Sequence, residues 1–426
     1  MSQKGLLPTL RRGTYRMLRV LGRPARHAQG ERGVVLEPYR GYGSVKEIFL
    51  IGRAFWQSPP ERAARRSELG GDLHDILRRI VRRAVPDATV TASFAGTELQ
   101  TQTDRDGYFR IHLRPERPPA SRDAWHDVEL RMDEPRPVEA TGKVFIPPEQ
   151  CRYVVISDID DTVMRTGVAN KLKMLWRLFV EEAENRVAFP GVAALYRAFH
   201  RGRTGAEGNP MLYVSRAPWG IYDMLDEFFD RNRIPVGPIL FLREWGISWT
   251  SPLPRKAEHH KHELIRNMLA LYDDLPFILI GDSGQRDPEV YRQIVAEHPG
   301  RVLAVYIRNV SCDERRIAEI NGLAATMAEA GSTLLLASDS MAFARHAVEH
   351  GLLHADALAE VAAESEAGHA PAPSAGLRRV QHRSPHATAR AVEEGELERI
   401  LEETDDRGTP PDVVVEPDGQ QRSRRG

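Results

Sequence analysis

The chain has 426 residues, 59 Lys and Arg against 60 Asp and Glu, a net charge of −1, and two cysteines, Cys151 and Cys312. Near-neutrality excludes a globally basic nucleic-acid binder, and two cysteines without metal-ligand spacing exclude a disulfide framework. No run of about eighteen apolar residues occurs and arginines interrupt the N-terminus, so neither a membrane span nor a secretion signal is expected, and a reducing cytoplasm is the simplest setting.

The first thirty residues hold seven Lys or Arg and no acid; Arg12, Arg16, Arg19 and Arg23 recur at helical steps, with Leu7, Leu10, Leu18 and Leu21 on another face. Residues 1–36 therefore read as a basic arm. It suits an amphipathic helix lying on an anionic bilayer, giving peripheral membrane attachment, and equally a flexible tail or a helix docked on the protein itself, since Gly13 weakens it.

Residues 37–150 read as a small β-rich domain with an inserted helix. A turn-rich entry, GluProTyrArgGlyTyrGly (37–43), precedes a strand over 47–55. Leu73, Ile76, Leu77, Ile80 and Val81 then recur at helical spacing, with Arg78, Arg79, Arg82 and Arg83 outside. From Ala88 to Pro148 the pattern alternates, and Asp106-Gly107 marks a turn before a strand in which Phe109, Ile111 and Leu113 share one face. Short strands with turn signals predict a β-sandwich.

From Cys151 the chain alternates strand and helix, which predicts a parallel sheet over 151–355. Strands are expected at 153–157, 211–214, 238–242, 277–280, 302–307 and 333–337, with helices over about 170–185 and 191–201. Leu172, Leu175, Trp176 and Phe179 make the first of these a helical insert that is either core or a cap. Beyond 356 the composition turns to Ala, Glu, Arg and Pro, and residues 356–426 are expected to be disordered, with a charged helix near 387–403.

The chemistry concentrates in IleSerAspIleAspAspThrVal (156–163). Asp158 and Asp160 follow the β-branched run Val154-Val155-Ile156, where strand alternation turns residues two apart to the same side. Such a pair suits a hard cation, and crowded carboxylates separate in pKa, so one can attack phosphorus while its neighbour carries a proton. A calcium loop is excluded, because Val163 and Ala169 stand where it needs glycine and glutamate. Three later segments add polar groups: Ser215 closes MetLeuTyrValSer, Lys256 and Lys261 open a helix, and Gly281-Asp282 closes PheIleLeuIleGlyAsp with Asp287 following. His259, His260 and His262 point around that helix, so they are not a zinc site.

This ordered set resembles the haloacid dehalogenase (HAD-like) superfamily. IleSerAspIleAspAspThrVal, PheProGlyVal (189–192), AsnProMetLeuTyrValSer (209–215), ProTrpGlyIleTyrAspMetLeu (218–225), HisLys (260–261) and GlyAspSerGlyGlnArgAspProGluValTyr (281–291) narrow it to the phosphatidate phosphatase catalytic domain of the actin-patch type, over roughly 150–355. The resemblance implies a doubly wound parallel sheet with a helical insert and a Mg²⁺-dependent phosphatase that forms an aspartyl-phosphate and releases diacylglycerol from phosphatidate at a membrane surface. It implies Asp158 as nucleophile, Asp160 as general acid/base, Lys261 as phosphate-neutralising cation with Lys256 the alternative, Ser215 as phosphate ligand, and Asp158, the backbone carbonyl of Asp160 and Asp282 as the metal set; Thr162 and Arg216 are further candidate substrate ligands of this chain. Arg216 and Ala217 depart from the small hydroxyl residues usual there. A soluble or macromolecular phosphate is the alternative substrate, and a non-catalytic membrane adaptor the alternative role; oligomeric state stays open.

Overall fold

A computed structural model describes residues 33–56, 83–119, 123–159, 189–215, 219, 222–241, 257–311 and 313–367. Residues 1–32 of the basic arm, positions 73–82 of the expected helix, the insert at 170–185 and the helix at 387–403 lie outside these residues, while Val34–Leu36, expected within the arm, are part of a strand.

Among the described residues eight strands come first: β1 Val34–Pro38, β2 Gly41–Gly43, β3 Ile48–Trp56, β4 Thr89–Phe94, β5 Thr97–Gln102, β6 Tyr108–Leu113, β7 Trp125–Met132 and β8 Val138–Phe145. Their alternation sets their faces: in β7, His126, Val128, Leu130 and Met132 are buried while Asp127, Glu129 and Arg131 are exposed. The turn at Asp106-Gly107 is present. Asp104 Oδ1 accepts the N–H groups of Asp106 at 3.0 Å and Tyr108 at 2.9 Å. Gly107 has φ +80°, and a Cβ there would stand 2.3 Å from the Ala54 carbonyl oxygen, so only glycine fits.

The expected sandwich of two sheets is instead one hydrogen-bonded path, β1-β3-β2-β8-β7-β4-β5, with β6 also paired to β3. The reason lies in β3: β1 and β2 share one of its edges and β6 takes the other, so one long strand serves both halves. The sheet encloses Leu50, Val90, Phe109, Val128, Leu130 and Val144, all essentially inaccessible. Each such side chain contributes about 1.5–3 kcal/mol by its burial.

Six parallel strands follow: β9 Val154–Asp158, β10 Met211–Ser215, β11 Ile239–Phe241, β12 Phe277–Asp282, β13 Val302–Arg308 and β14 Thr333–Ala337. Their order is β11-β10-β9-β12-β13-β14. The helices are α1 Val192–Arg201, α2 Tyr222–Arg231, α3 Ala257–Leu271, α4 Asp287–Glu297, α5 Glu314–Glu329, α6 Ser340–Glu349 and α7 Ala357–Ala367. Both faces of the sheet are covered. Val155, Met211, Tyr213, Ile278 and Tyr306 pack with α1, α2, α6 and α7, whereas Val154, Ile156, Leu212, Leu279 and Val305 pack with α3, α4 and α5. Burial on both sides is why these strands read as unbroken apolar runs.

Residues 357–367, expected to be disordered, form helix α7. Val361 of α7 is fully buried against α1, Arg201 pairs with Glu360 at 2.6 Å, and Arg197 pairs with Glu364 at 2.7 Å. An alanine-rich composition can still form a helix when one apolar side chain and two carboxylates meet a prepared neighbour.

The two sheets meet through aromatic rings. Tyr39 stacks on Trp219 at 4.8 Å and lies 4.4 Å from Tyr222, whose hydroxyl accepts the Arg40 N–H at 3.0 Å. Arg40 also pairs with Asp226. No helix among the described residues is long and apolar enough to cross a membrane.

Candidate active site

The chain runs outward from β9 through β10 to β11, then returns to the other side of β9 as β12. That reversal leaves a crevice at the carboxyl ends of β9 and β12, where open parallel sheets bind ligands. Asp158 ends β9 and Asp282 ends β12. Ser215 ends β10 one residue beyond Val214, the partner of Asp158 in the ladder, and is buried.

Alternation along β9 sends neighbouring side chains to opposite faces. Ser157 points to the α1 side, where its hydroxyl lies 2.6 Å from Tyr196 Oη. Burial pushes the Tyr196 phenol up to about 12, against the downward pull of the Ser157 bond, so it stays a neutral partner. Asp158 shares the parity of Val154 and Ile156, which face α3. There it meets Lys261, whose Nζ stands 3.1 Å from Asp158 Oδ1 and 2.5 Å from Asp287 Oδ1.

Lys261 is buried because of its place on α3. It sits three and four residues before Leu264 and Ile265, which with Met268, Leu269 and Tyr272 form the stripe packed on the sheet. An ammonium on that stripe is tolerable only beside carboxylates, and it has them. Lys256 lies outside the described residues.

Asp287 opens α4 ahead of Pro288, and its Oδ2 accepts the Asp282 N–H at 3.3 Å. Gly281 makes room for this approach, since a Cβ on it would stand 2.4 Å from Asp287 Oδ2. One oxygen from each of Asp158, Asp282 and Asp287 lies within 4.8 Å of the others, and all three residues are buried. Such a set of hard oxygen donors can hold a metal ion.

Between β12 and α4, the Gln285 amide Nε2 donates to Asp158 Oδ2 at 3.0 Å and to Asp282 Oδ2 at 2.9 Å, while its backbone N–H donates to Asp282 Oδ1 at 2.9 Å. Arg316 of α5 pins the loop from outside. Its guanidinium donates to the carbonyls of Ser283 at 3.1 Å and Gln285 at 2.8 Å, and makes a two-pronged bond to Glu289. Burial alone would raise the Glu289 carboxyl, but the Arg316 bonds outweigh it and hold the pKa below the ordinary range.

Among the expected site residues, the structure thus brings together Asp158, Lys261 and Asp282, with Ser215 on the adjacent strand end. Asp160, Thr162 and Arg216 lie outside the described residues. Sequence reasoning noted Asp287 as an acid but gave it no role, and missed Gln285 and Arg316. A weak signal for Asp287 exists, an acid followed by proline at a helix start; nothing local marks Gln285 or Arg316.

Residues 153–309 match the family described as phosphatidate phosphatase APP1, catalytic domain. Phosphatidate phosphatase APP1 of Saccharomyces cerevisiae is 29% identical over 225 residues, covering 51% of this chain and 35% of the yeast protein. An uncharacterized protein of Schizosaccharomyces pombe is 27% identical over 159 residues, covering 37% of this chain and 25% of that protein. The chain thus spans about a quarter to a third of the length of these curated relatives. Among solved structures, a carbohydrate acetylesterase from Xanthomonas citri aligns over 72% of this chain and 69% of its own at 10% identity, with a TM-score of 0.26, too low to support an argument.

Proposed function

We propose that the segment resembling the phosphatidate phosphatase catalytic domain is a HAD-like phosphomonoesterase that hydrolyses phosphatidate through an aspartyl-phosphate on Asp158. The observation that carries this is one buried carboxylate, Asp158, that pairs with the Lys261 ammonium and is bridged by the Gln285 amide to a second strand-end carboxylate, Asp282, at the carboxyl ends of β9 and β12. An acid of that kind, at that edge, is placed to attack an anionic phosphorus whose charge has been neutralised.

In the first step the Asp158 carboxylate forms a bond to phosphorus and the bond to the departing lipid oxygen breaks. Asp160 supplies the proton that this oxygen needs. In the second step water attacks the phosphoryl group, Asp160 takes its proton, and the carboxylate of Asp158 is released with inorganic phosphate. Lys261 offsets charge beside Asp158, and Asp287 orients Lys261. Ser215, Thr162 and Arg216 hold phosphate oxygens.

The buried carboxylates of Asp158 and Asp282 suit Mg²⁺, which they would hold together with the backbone carbonyl of Asp160. Bound there, Mg²⁺ supplies neutralisation of the phosphate and of the developing charge. Residues 1–36 would bring the cytoplasmic enzyme to its lipid surface.

The test is a phosphate-release screen of the full chain on phosphatidate in vesicles and on soluble phosphoesters, with and without Mg²⁺. Release from phosphatidate vesicles that needs Mg²⁺, and falls about a thousandfold or more in Asp158→Asn, is the expected result. Retained turnover in that variant sinks the nucleophile assignment. Preference for a soluble ester sinks the lipid assignment while leaving the chemistry.

A further inference from the structure

Gln285 holds its amide in an expensive arrangement. Its two N–H groups reach Asp158 Oδ2 at 3.0 Å and Asp282 Oδ2 at 2.9 Å, the oxygens that converge on the crevice. The amide oxygen at the other end, Oε1, is buried and has no hydrogen-bond partner among the described residues. Ionised carboxylates only accept, so the nitrogen and not the oxygen must face them. The side chain bridges two like charges while its own acceptor finds no donor among the described residues. Its backbone is not free to choose otherwise, because Arg316 fixes the Gln285 carbonyl and Asp282 Oδ1 takes its N–H.

Two donors on one atom, aimed at two anionic oxygens, imitate what a small cation does at the same place. We propose that Gln285 is an internal stand-in for the divalent cation: its amide nitrogen holds Asp158 and Asp282 together when no cation is bound, and must withdraw from both oxygens when one binds. This rests on the reading of Asp158 and Asp282 as metal ligands and adds a competitor to it. The competition bears on Asp158 itself, whose carboxylate has one oxygen on Lys261 and the other on Gln285. In this proposal cation entry exchanges the amide on that oxygen for the metal, so Asp158 passes from a neutral donor to the charge needed to receive phosphate.

The experiment compares the full chain with Gln285→Leu, which keeps volume but removes both donors. Mg²⁺ binding is measured by titration calorimetry, and thermal melting is followed in EDTA and in saturating Mg²⁺. The variant is expected to bind Mg²⁺ about tenfold tighter, because two charge-assisted hydrogen bonds no longer compete. It should melt lower than the parent in EDTA, with the gap closing in Mg²⁺. Equal or weaker Mg²⁺ binding overturns the stand-in, as does a melting offset that is the same in EDTA and Mg²⁺, since a structural glutamine would give that. Gln285→Ala, which removes volume too, is read in the same way. If neither parent nor variant binds Mg²⁺, the stand-in falls together with the metal assignment; if the parent binds and the variant does not differ, the stand-in alone falls.

Discussion

Single atoms decide the geometry of the crevice. Gly281 lets Asp287 reach both Lys261 and the backbone of Asp282, so Gly281→Ala must push the Asp287 carboxylate away. The expected cost is about 1–3 kcal/mol in urea unfolding, with a fall in phosphate release larger than the stability loss explains. Arg316→Ala should cost about 2 kcal/mol by freeing the Ser283–Gln285 carbonyls and Glu289. Because Arg316 holds the Glu289 carboxyl low, its stabilisation is complete above the ordinary glutamate range and is lost as pH falls through the depressed value. The melting difference between parent and variant should therefore be constant near neutrality and shrink below about pH 4. Burial pushes the Cys151 thiol up to about 12, so its peptide should stay unalkylated by iodoacetamide in the native protein at pH 8 and react only after unfolding. The strand-end carboxylates were legible because an apolar run that stops at an acid is a local pattern. Gln285 and Arg316 were not, since their meaning comes from contacts across 127 and 31 positions of chain.

Among the elements, the parallel strands were legible for the reason that makes them stable: residues buried on both faces leave no polar interruption. Observed β9 to β13 differ from expectation by a residue or two at their ends, with β12 running on through Asp282, and β14 has the expected bounds. Helix α7 was hidden by composition. Nothing in AlaLeuAlaGluValAlaAlaGluSerGluAla signals a partner, yet Val361 is fully buried and Glu364 accepts the Ala194 N–H at 3.0 Å. Val361→Asp should place a carboxylate in that apolar contact and cost about 3 kcal/mol or more by chemical denaturation, whereas Ala362→Asp on the same helix should cost little. The eight-stranded sheet was read as strands but not as a topology, because periodicity reports which side a residue faces and says nothing of which edge pairs with which.

At the scale of the whole described molecule, the two sheets share a junction that reaches close to the chemistry. Trp219 stands four positions after Ser215 and is clasped by Tyr39 at 4.8 Å and Phe241 at 4.5 Å. Tyr39→Ala should lower stability by about 3 kcal/mol in urea unfolding, through loss of the ring packed on Trp219 and Tyr222. The same junction constrains how the polypeptide can be divided. A cut near Cys151 would leave Trp219 and Tyr222 bare on one piece and Tyr39 on the other, with Arg40 and Asp226 as matching charges. Either piece made alone should be poorly soluble and self-associate, while both made together should recombine, so that recovery of soluble protein upon co-expression becomes a direct assay of how tightly one half chaperones the other.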